Sequence, residues 1–144
     1  MRIFVVETDG AGGMIHYAYQ LCTALAAGGA EVTLVPSRNC ELDHLAHSFT
    51  VRPLLRLWPN IEPLPAPAGR GRAALRRVHQ KARRGWRAVR FAREWVRLTR
   101  LLLRERPDVV QFAIIRFPFQ KVFLRRLRRG GLFLAQVCHE YEFR

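Results

Sequence analysis

The chain predicts an open, doubly wound α/β sheet, on three observations. Short unbroken apolar runs recur along its 144 residues. Stretches with helical spacing of apolar residues lie between them, and glycine or proline marks most of the changes. A parallel strand covered on both faces reads as an unbroken run of this kind, whereas a strand with one wet face alternates.

Residues 3–6, Ile-Phe-Val-Val, form the first strand. A helix follows over residues 14–27, because Ile15, Ala18, Cys22 and Leu25 recur at +3, +4 and +3, with Leu21 widening the face. Gly28-Gly29 stops it, since glycine accepts the left-handed conformation found just past helix ends. "AEVTLVP" is the second strand, and its short approach fits a right-handed crossover onto a parallel sheet. "SFTVRPL" reads as a third. Residues 54–69 then form a proline-rich loop whose apolar members (Leu54, Leu55, Leu57, Trp58, Ile61, Leu64) are unusual in a solvated connection.

Residues 71–106 are a basic, amphipathic helical segment with a break or kink expected at Gly85. In its second half Ala88, Phe91, Trp95, Leu98 and Leu102 run at +3, +4, +3 and +4, widened by Val89, Ala92, Val96 and Leu103. Pro107 ends it, and "DVVQFAII" is the next buried strand. Pro118 suits the first turn of a further helix, with Phe119, Val122, Phe123 and Leu127 on one face and Gly130-Gly131 after it. "LFLAQVCH" is the last strand. Residues 1–144 are therefore expected to form one domain.

Composition narrows the class. With 49% apolar and 25% charged residues the chain is a globular mixture. No run approaches the roughly 18 apolar residues of a membrane-spanning helix, and no signal-peptide pattern precedes the first strand. Cys22, Cys40 and Cys138 are odd in number and widely spaced, which predicts reduced thiols in a cytoplasmic protein. The net charge of +14 is uneven. Residues 1–69 carry four basic and six acidic side chains, net −2; residues 107–144 carry seven and three, net +4. Residues 70–106 carry fourteen basic and two acidic, net +12, so the excess marks a local contact with an anionic surface.

In doubly wound sheets ligands bind outside the carboxyl ends of strands. Three stretches lie there: residues 8–13, Arg116 with its neighbours, and His139-Glu140. Gly10-Ala11-Gly12 begins like the G-x-G-x-x-G dinucleotide fingerprint, but Ile15 stands where the third glycine belongs. The acid that would hold a ribose after the second strand is replaced by Val35-Pro36-Ser37. An NAD(P) site is the third-ranked reading, and a tight turn with no ligand is the structural alternative. The favoured reading sets free N–H groups of the helix N-terminus against a phosphate or sugar.

"MRIFVVETDGAGGMIHYAYQLCTALAAGGAEVTLV" resembles the opening of the GT-B glycosyltransferases of family 4. The matching positions are Gly12, Gly13, His16, Leu25, Gly29, Glu31, Val32 and Thr33. "RPDVVQ" and "GGLFLAQVCHEYE" look like that family's "-P-D-V-V-H-" strand and its later strand ending in "-H-[DE]-". The resemblance runs in order over nearly the whole chain, with gaps in residues 37–70. It implies a Rossmann-like open parallel sheet with helices on both faces, forming the N-terminal GT-B half and incomplete here. Such enzymes hold the acceptor mostly in this half and the nucleotide-sugar donor in a C-terminal half. By that analogy Gly12 and Gly13 approach the donor diphosphate, His139 is the catalytic cleft residue, and His16, Arg116 and Glu140 line the acceptor cleft.

Transfer in that family retains anomeric configuration and needs neither metal nor cofactor. Two departures stand out. Gln111 replaces a frequent histidine, and the motif with two glutamates carried by the C-terminal half is absent. The expectation is a fragment or one half of a split enzyme, inactive without a C-terminal donor-binding domain in cis or in trans.

Each singled-out residue has a plainer reading beside the functional one. His139 equally suits a hydrogen-bonded residue at a strand end, and His16 a capping or packing residue. His44 and His47, with Cys40 and Asp43 nearby, make only a weak metal pattern, so no metal is expected. The basic helix fits a solvated face, a nucleic-acid track using Trp86, Phe91 and Trp95, or a membrane surface. A non-enzymatic nucleic-acid module is thus the runner-up. The membrane reading is favoured, with Arg83, Arg84, Trp86, Arg87, Arg90 and Trp95 in contact with an anionic leaflet, where each basic residue contributes on the order of 1 kcal/mol. The expected protein is cytoplasmic and peripheral on the inner face, acting on a lipid- or glycan-type acceptor.

Overall fold

A computed structural model describes residues 1–38, 40–42, 44–55, 70–115 and 117–137, with the side chains of 70–82 and 84 left aside. Its elements are β1 (Arg2–Val6), α1 (Gly13–Ala27), β2 (Glu31–Val35), β3 (Thr50–Val51), α2 (Arg70–Glu105), β4 (Val109–Phe112), α3 (Gln120–Arg129) and β5 (Phe133–Gln136). The five strands form one sheet in the order β3-β2-β1-β4-β5, and every pairing is parallel. The doubly wound sheet read from the sequence is therefore the observed one.

Alternation along the strands divides the core in two. Ile3, Val5, Val32 and Leu34 face α1, where Ile15, Ala18 and Cys22 are buried, and Leu42 and Phe49 close this cluster. Phe4, Val6, Val35, Val110 and Phe112 face the other way, against Phe91, Trp95, Leu98 and Leu102 of α2 and Leu127 of α3. Helices thus cover both faces. Cys22 is an apolar core residue in practice, because burial pushes its thiol up to about 12.

Several expectations need correction. The third strand is only Thr50–Val51, held to Thr33 and Leu34 of β2. Its continuation is a backbone bridge from Ser37 to Leu55, and Leu55 is a buried core residue rather than part of a solvated loop. Residues 56–69 lie outside the described residues. The helix over the basic segment runs through Gly85 without interruption. A lone glycine costs a helix only about 1 kcal/mol, and a Cβ there would meet nothing. Val89 and Val96 are 62% and 36% exposed, so they belong to the outer surface and not to a widened core face.

In α3 the expected face is rotated. Gln120 and Leu127 are buried and Phe123 and Leu124 half-buried, whereas Phe119 and Val122 are exposed. The Gln120 side chain explains the shift: its Oε1 accepts the Phe117 N–H at 2.6 Å and fastens the turn before the helix. Gly130 marks a close approach, since a Cβ there would force the end of the Leu103 side chain of α2 to shift.

A network of charges joins the starts of β1 and β2 to the end of α2 and to Arg52, the residue after β3. The Glu105 carboxylate meets Arg52 Nη1 at 3.0 Å and Arg2 Nη2 at 3.5 Å, and Arg2 also reaches Glu31 at 3.4 Å. The hydrogen bond from Arg52, and then its charge and that of Arg2, hold the Glu105 carboxyl below the ordinary glutamate value. A depressed carboxyl stabilises the fold above the unfolded-state value, about 4.3, and that stability is lost as pH falls through the folded value. Replacing Glu105 by Gln is expected to flatten the acid limb of thermal unfolding while leaving its slope above neutrality unchanged. An unaltered acid limb in differential scanning fluorimetry would refute the network's role.

Candidate functional site

Because all strands are parallel, their carboxyl ends lie along one edge. Strand order reverses at β1: β2 lies on one side and β4 on the other, which makes the crevice outside β1 and β4 the topological switch point. The glycine loop follows β1 there, and residues 113–119 follow β4.

The loop is built on a buried carboxylate. Glu7, immediately after β1, is fully buried and donates its N–H to the Val35 carbonyl at 3.2 Å. Its Oε1 accepts the Asp9 N–H at 2.8 Å and its Oε2 accepts the Gly10 N–H at 2.7 Å. Two amides pulled onto one side chain wind the chain into a tight turn. Gly10 at φ 76° and Gly12 at φ 79°, ψ −171° complete it, and the latter conformation is open essentially to glycine alone. Gly13 differs: its φ is not left-handed, and a Cβ there would meet nothing within 4 Å. The local fold demands glycine at 10 and 12 and leaves an open approach above 13.

Gly12 and His16 are brought together by a residue that sequence reading missed. Glu41, in the connection after β2, places Oε1 2.9 Å from the Gly12 N and 3.0 Å from His16 Nε2, and its own N–H donates to the Gly10 carbonyl at 3.0 Å. One carboxylate oxygen therefore sits at the amino end of α1, where unpaired N–H groups and the helix dipole favour an anion. No motif announced Glu41 or Glu7. The only signal was an acid placed directly after an apolar strand, and an acid in the connection following the next one.

Ile15 is fully buried against the sheet, so the third position of a dinucleotide fingerprint is taken by the core. Gln111 lies within β4 in register with Val5 and Ala135, half-buried. Arg116, His139 and Glu140 lie outside the described residues. Among the described residues no group of three His, Cys, Asp or Glu side chains is placed to hold a metal.

On α2 the two tryptophans part company. Trp95 is fully buried, stacked on Phe112 with ring centroids 5.8 Å apart, and so is unavailable to a membrane. Trp86 is 69% exposed, with Arg87 exposed and Arg83 and Arg90 half-buried beside it; the side chain of Arg84 is not described. Phe117 and Phe119, also exposed, pack edge-on against Phe91 at 5.4 and 5.2 Å and extend the aromatic surface from α2 to the loop after β4. No helix among the described residues is long and apolar enough to cross a membrane.

Solved structures share this architecture. MurG of Acinetobacter baumannii superposes with a TM-score of 0.55 at 12% identity, over 94% of this chain and 35% of that one. The lipopolysaccharide outer core galactosyltransferase WaaB superposes with a TM-score of 0.50 at 12% identity, over 94% and 32%. The chain shares the fold of part of each of these two proteins. At this identity the likeness is one of fold, and the chain spans about a third of the length of those proteins. No family model matches it, and no curated protein is similar in sequence.

The two glycines make a direct test of the loop. Gly12→Ala is expected to cost about 1–3 kcal/mol by urea unfolding, from backbone strain alone. Gly13→Ala should be neutral or stabilising by up to about 1 kcal/mol. Equal losses at both positions would overturn the assignment.

Proposed function

We propose that the chain is the acceptor-side part of a retaining glycosyltransferase that moves a sugar from a nucleotide-sugar donor to a membrane- or lipid-linked acceptor. The observation that carries this reading is the loop at residues 10–13. It stands at the switch-point crevice of a GT-B-type fold, and its Gly13 is open where nothing among the described residues requires glycine. A phosphate approaching the first turn of α1 would use that opening.

In this reading the amino end of α1 stabilises charge developing on the leaving diphosphate. The Ile15 N–H donates to the Gly12 carbonyl and the Gly12 N–H to Glu41, so the N–H groups of Gly13 and Met14 are the ones this reading aims at the diphosphate, without reorganisation during the reaction. Glu41 occupies part of this position, so the donor arrives as Glu41 withdraws, and His16 passes from the carboxylate to the incoming anion. A C-terminal domain, in cis or in trans, supplies the rest of the donor site, and this chain alone is inactive. His139 as the catalytic cleft residue, with Arg116 and Glu140 beside it, rests on the sequence resemblance, as does transfer without a metal or cofactor.

The acceptor side draws on the outer surface of α2. Trp86, Phe117 and Phe119 are exposed aromatic groups among arginines, the combination that inserts into the headgroup region of an anionic leaflet. Placement is then cytoplasmic and peripheral, on the inner face of the membrane.

Pyrophosphate titrated into the protein tests the loop. Glu41→Ala should tighten binding roughly fivefold, the effect of about 1 kcal/mol from one removed competitor. Gly13→Asp should abolish binding while preserving the helix, because an acid suits its first turn. Affinity unchanged by both substitutions would reject the site. Vesicles test the surface: phosphatidylglycerol liposomes should sediment the protein and phosphatidylcholine liposomes should not, and Trp86→Ala with Arg87→Ala should release it. Equal sedimentation by both lipids would remove the electrostatic reading. Salt-sensitive binding to a DNA duplex without vesicle binding would favour the nucleic-acid alternative.

A further inference from the structure

Helices α2 and α3 lie side by side over one face of the sheet, and the seam between them belongs to the apolar core. The ridge of α2 that meets α3 runs through Trp95, Thr99 and Leu103, each four residues from the last. Trp95 lies 5.7 Å from Phe123 between ring centroids. Leu103 comes up against Gly130, just past the end of α3. Thr99 stands on the ridge between these two contacts.

Two polar atoms are enclosed in this seam. The indole Nε1 of Trp95 and the hydroxyl Oγ1 of Thr99 are shielded from solvent, on residues 0% and 3% exposed. Among the described residues neither atom has a hydrogen-bond partner. A buried polar group left in that condition costs about 1–3 kcal/mol. Valine has the shape of threonine without the hydroxyl, so packing alone does not account for this residue. Side chains four apart on a helix are neighbours, with Cβ atoms about 5–6 Å from each other. The indole N–H only donates, whereas the hydroxyl both donates and accepts. Glu94 Oε2 is likewise buried without a partner among the described residues, but it lies about 140° around the helix from Thr99. Its other oxygen meets Arg97 at 3.4 Å, so it belongs to the opposite flank.

We propose that the seam between α2 and α3 binds one internal water molecule, held by the Trp95 N–H and the Thr99 hydroxyl. The water accepts from the indole and donates to Thr99 Oγ1. The Trp95 carbonyl, four residues before Thr99, has a second lone pair for the other hydrogen. Internal waters make about three hydrogen bonds, the number available here. A larger ligand is a poor occupant, because Trp95, Phe112 and Leu127 are buried together in the same cluster. The water ties α3 to α2 through polar contacts where the rest of the seam is apolar. Helix α3 begins at the turn that carries the stacked pair Phe117 and Phe119, so this tie also positions that pair.

Thr99→Val keeps the shape of the side chain and removes its hydroxyl. With the water in place this change strands the Trp95 N–H, and urea unfolding of the whole chain should show folding about fivefold less favourable. A dry seam gives the opposite sign, because removing an unpaired buried hydroxyl stabilises. Nuclear magnetic resonance supplies the second reading. The indole N–H of Trp95 should show a cross-peak to a long-lived water in the unsubstituted chain, weakened in Thr99→Val, while exposed Trp86 meets only rapidly exchanging solvent. If the substituted protein does not fold, the signal of the unsubstituted chain decides alone. Thr99→Val as stable as the parent, or more so, would overturn the proposal. So would a Trp95 indole with no long-lived water, whatever the change in stability, since the hydroxyl would then serve only its own helix.

Discussion

A parallel sheet has two faces to keep from water, and this requirement organises the rest of the molecule. Each strand must be followed by a crossover that returns the chain to the same end, so helices accumulate on both sides. Every strand then finishes at one edge. The glycine loop after β1, the Glu41 connection after β2 and the aromatic turn after β4 are neighbours for that reason alone. None of them is close to the others in sequence.

Electrostatics at that edge is handled with internal anions. Glu7 is taken out of water and made tolerable by the N–H groups of Asp9 and Gly10, because a buried carboxylate without such donors would be strongly disfavoured. Glu41 remains partly exposed and spends one oxygen on Gly12 and His16. The first acid is a structural bolt. The second stands at the surface and ties the loop to the first turn of α1 through one oxygen. A separate cluster of Arg2, Arg52 and Glu105 ties the start of β1 to the end of α2 and to the residue after β3.

The long helix shows how one segment serves two surfaces. From Phe91 onward a stripe through Trp95, Leu98 and Leu102 is buried against the sheet, while Arg93, Arg97, Arg100 and Arg104 face outward. At about 1.5 Å per residue, 36 residues make a rod of about 54 Å, much longer than a strand of five residues. Among the described side chains of α2, those buried against the sheet lie from Phe91 onward. The excess positive charge lies mainly in the first half, with eight basic residues and no acidic one over residues 70–87.

The sequence by itself determined the class of fold, the order of its elements and the faces of α1 and of the second half of α2. Those follow from periodicity, and periodicity is a local property. It also singled out Gly12, Gly13 and His16, which share one corner of the molecule. What only the tertiary structure decided depends on contacts between distant segments. Trp86 and Trp95 look alike in sequence, yet packing against Phe112 buries one and leaves the other in solvent. The buried face of α3 was rotated by the Gln120 side chain, whose hydrogen bond to the preceding turn no apolar pattern records. Glu41 could not be read at all, because nothing in residues 37–42 states that their backbone returns to Gly10. A carboxylate becomes part of a site only when folding sets it against the N–H groups of another loop.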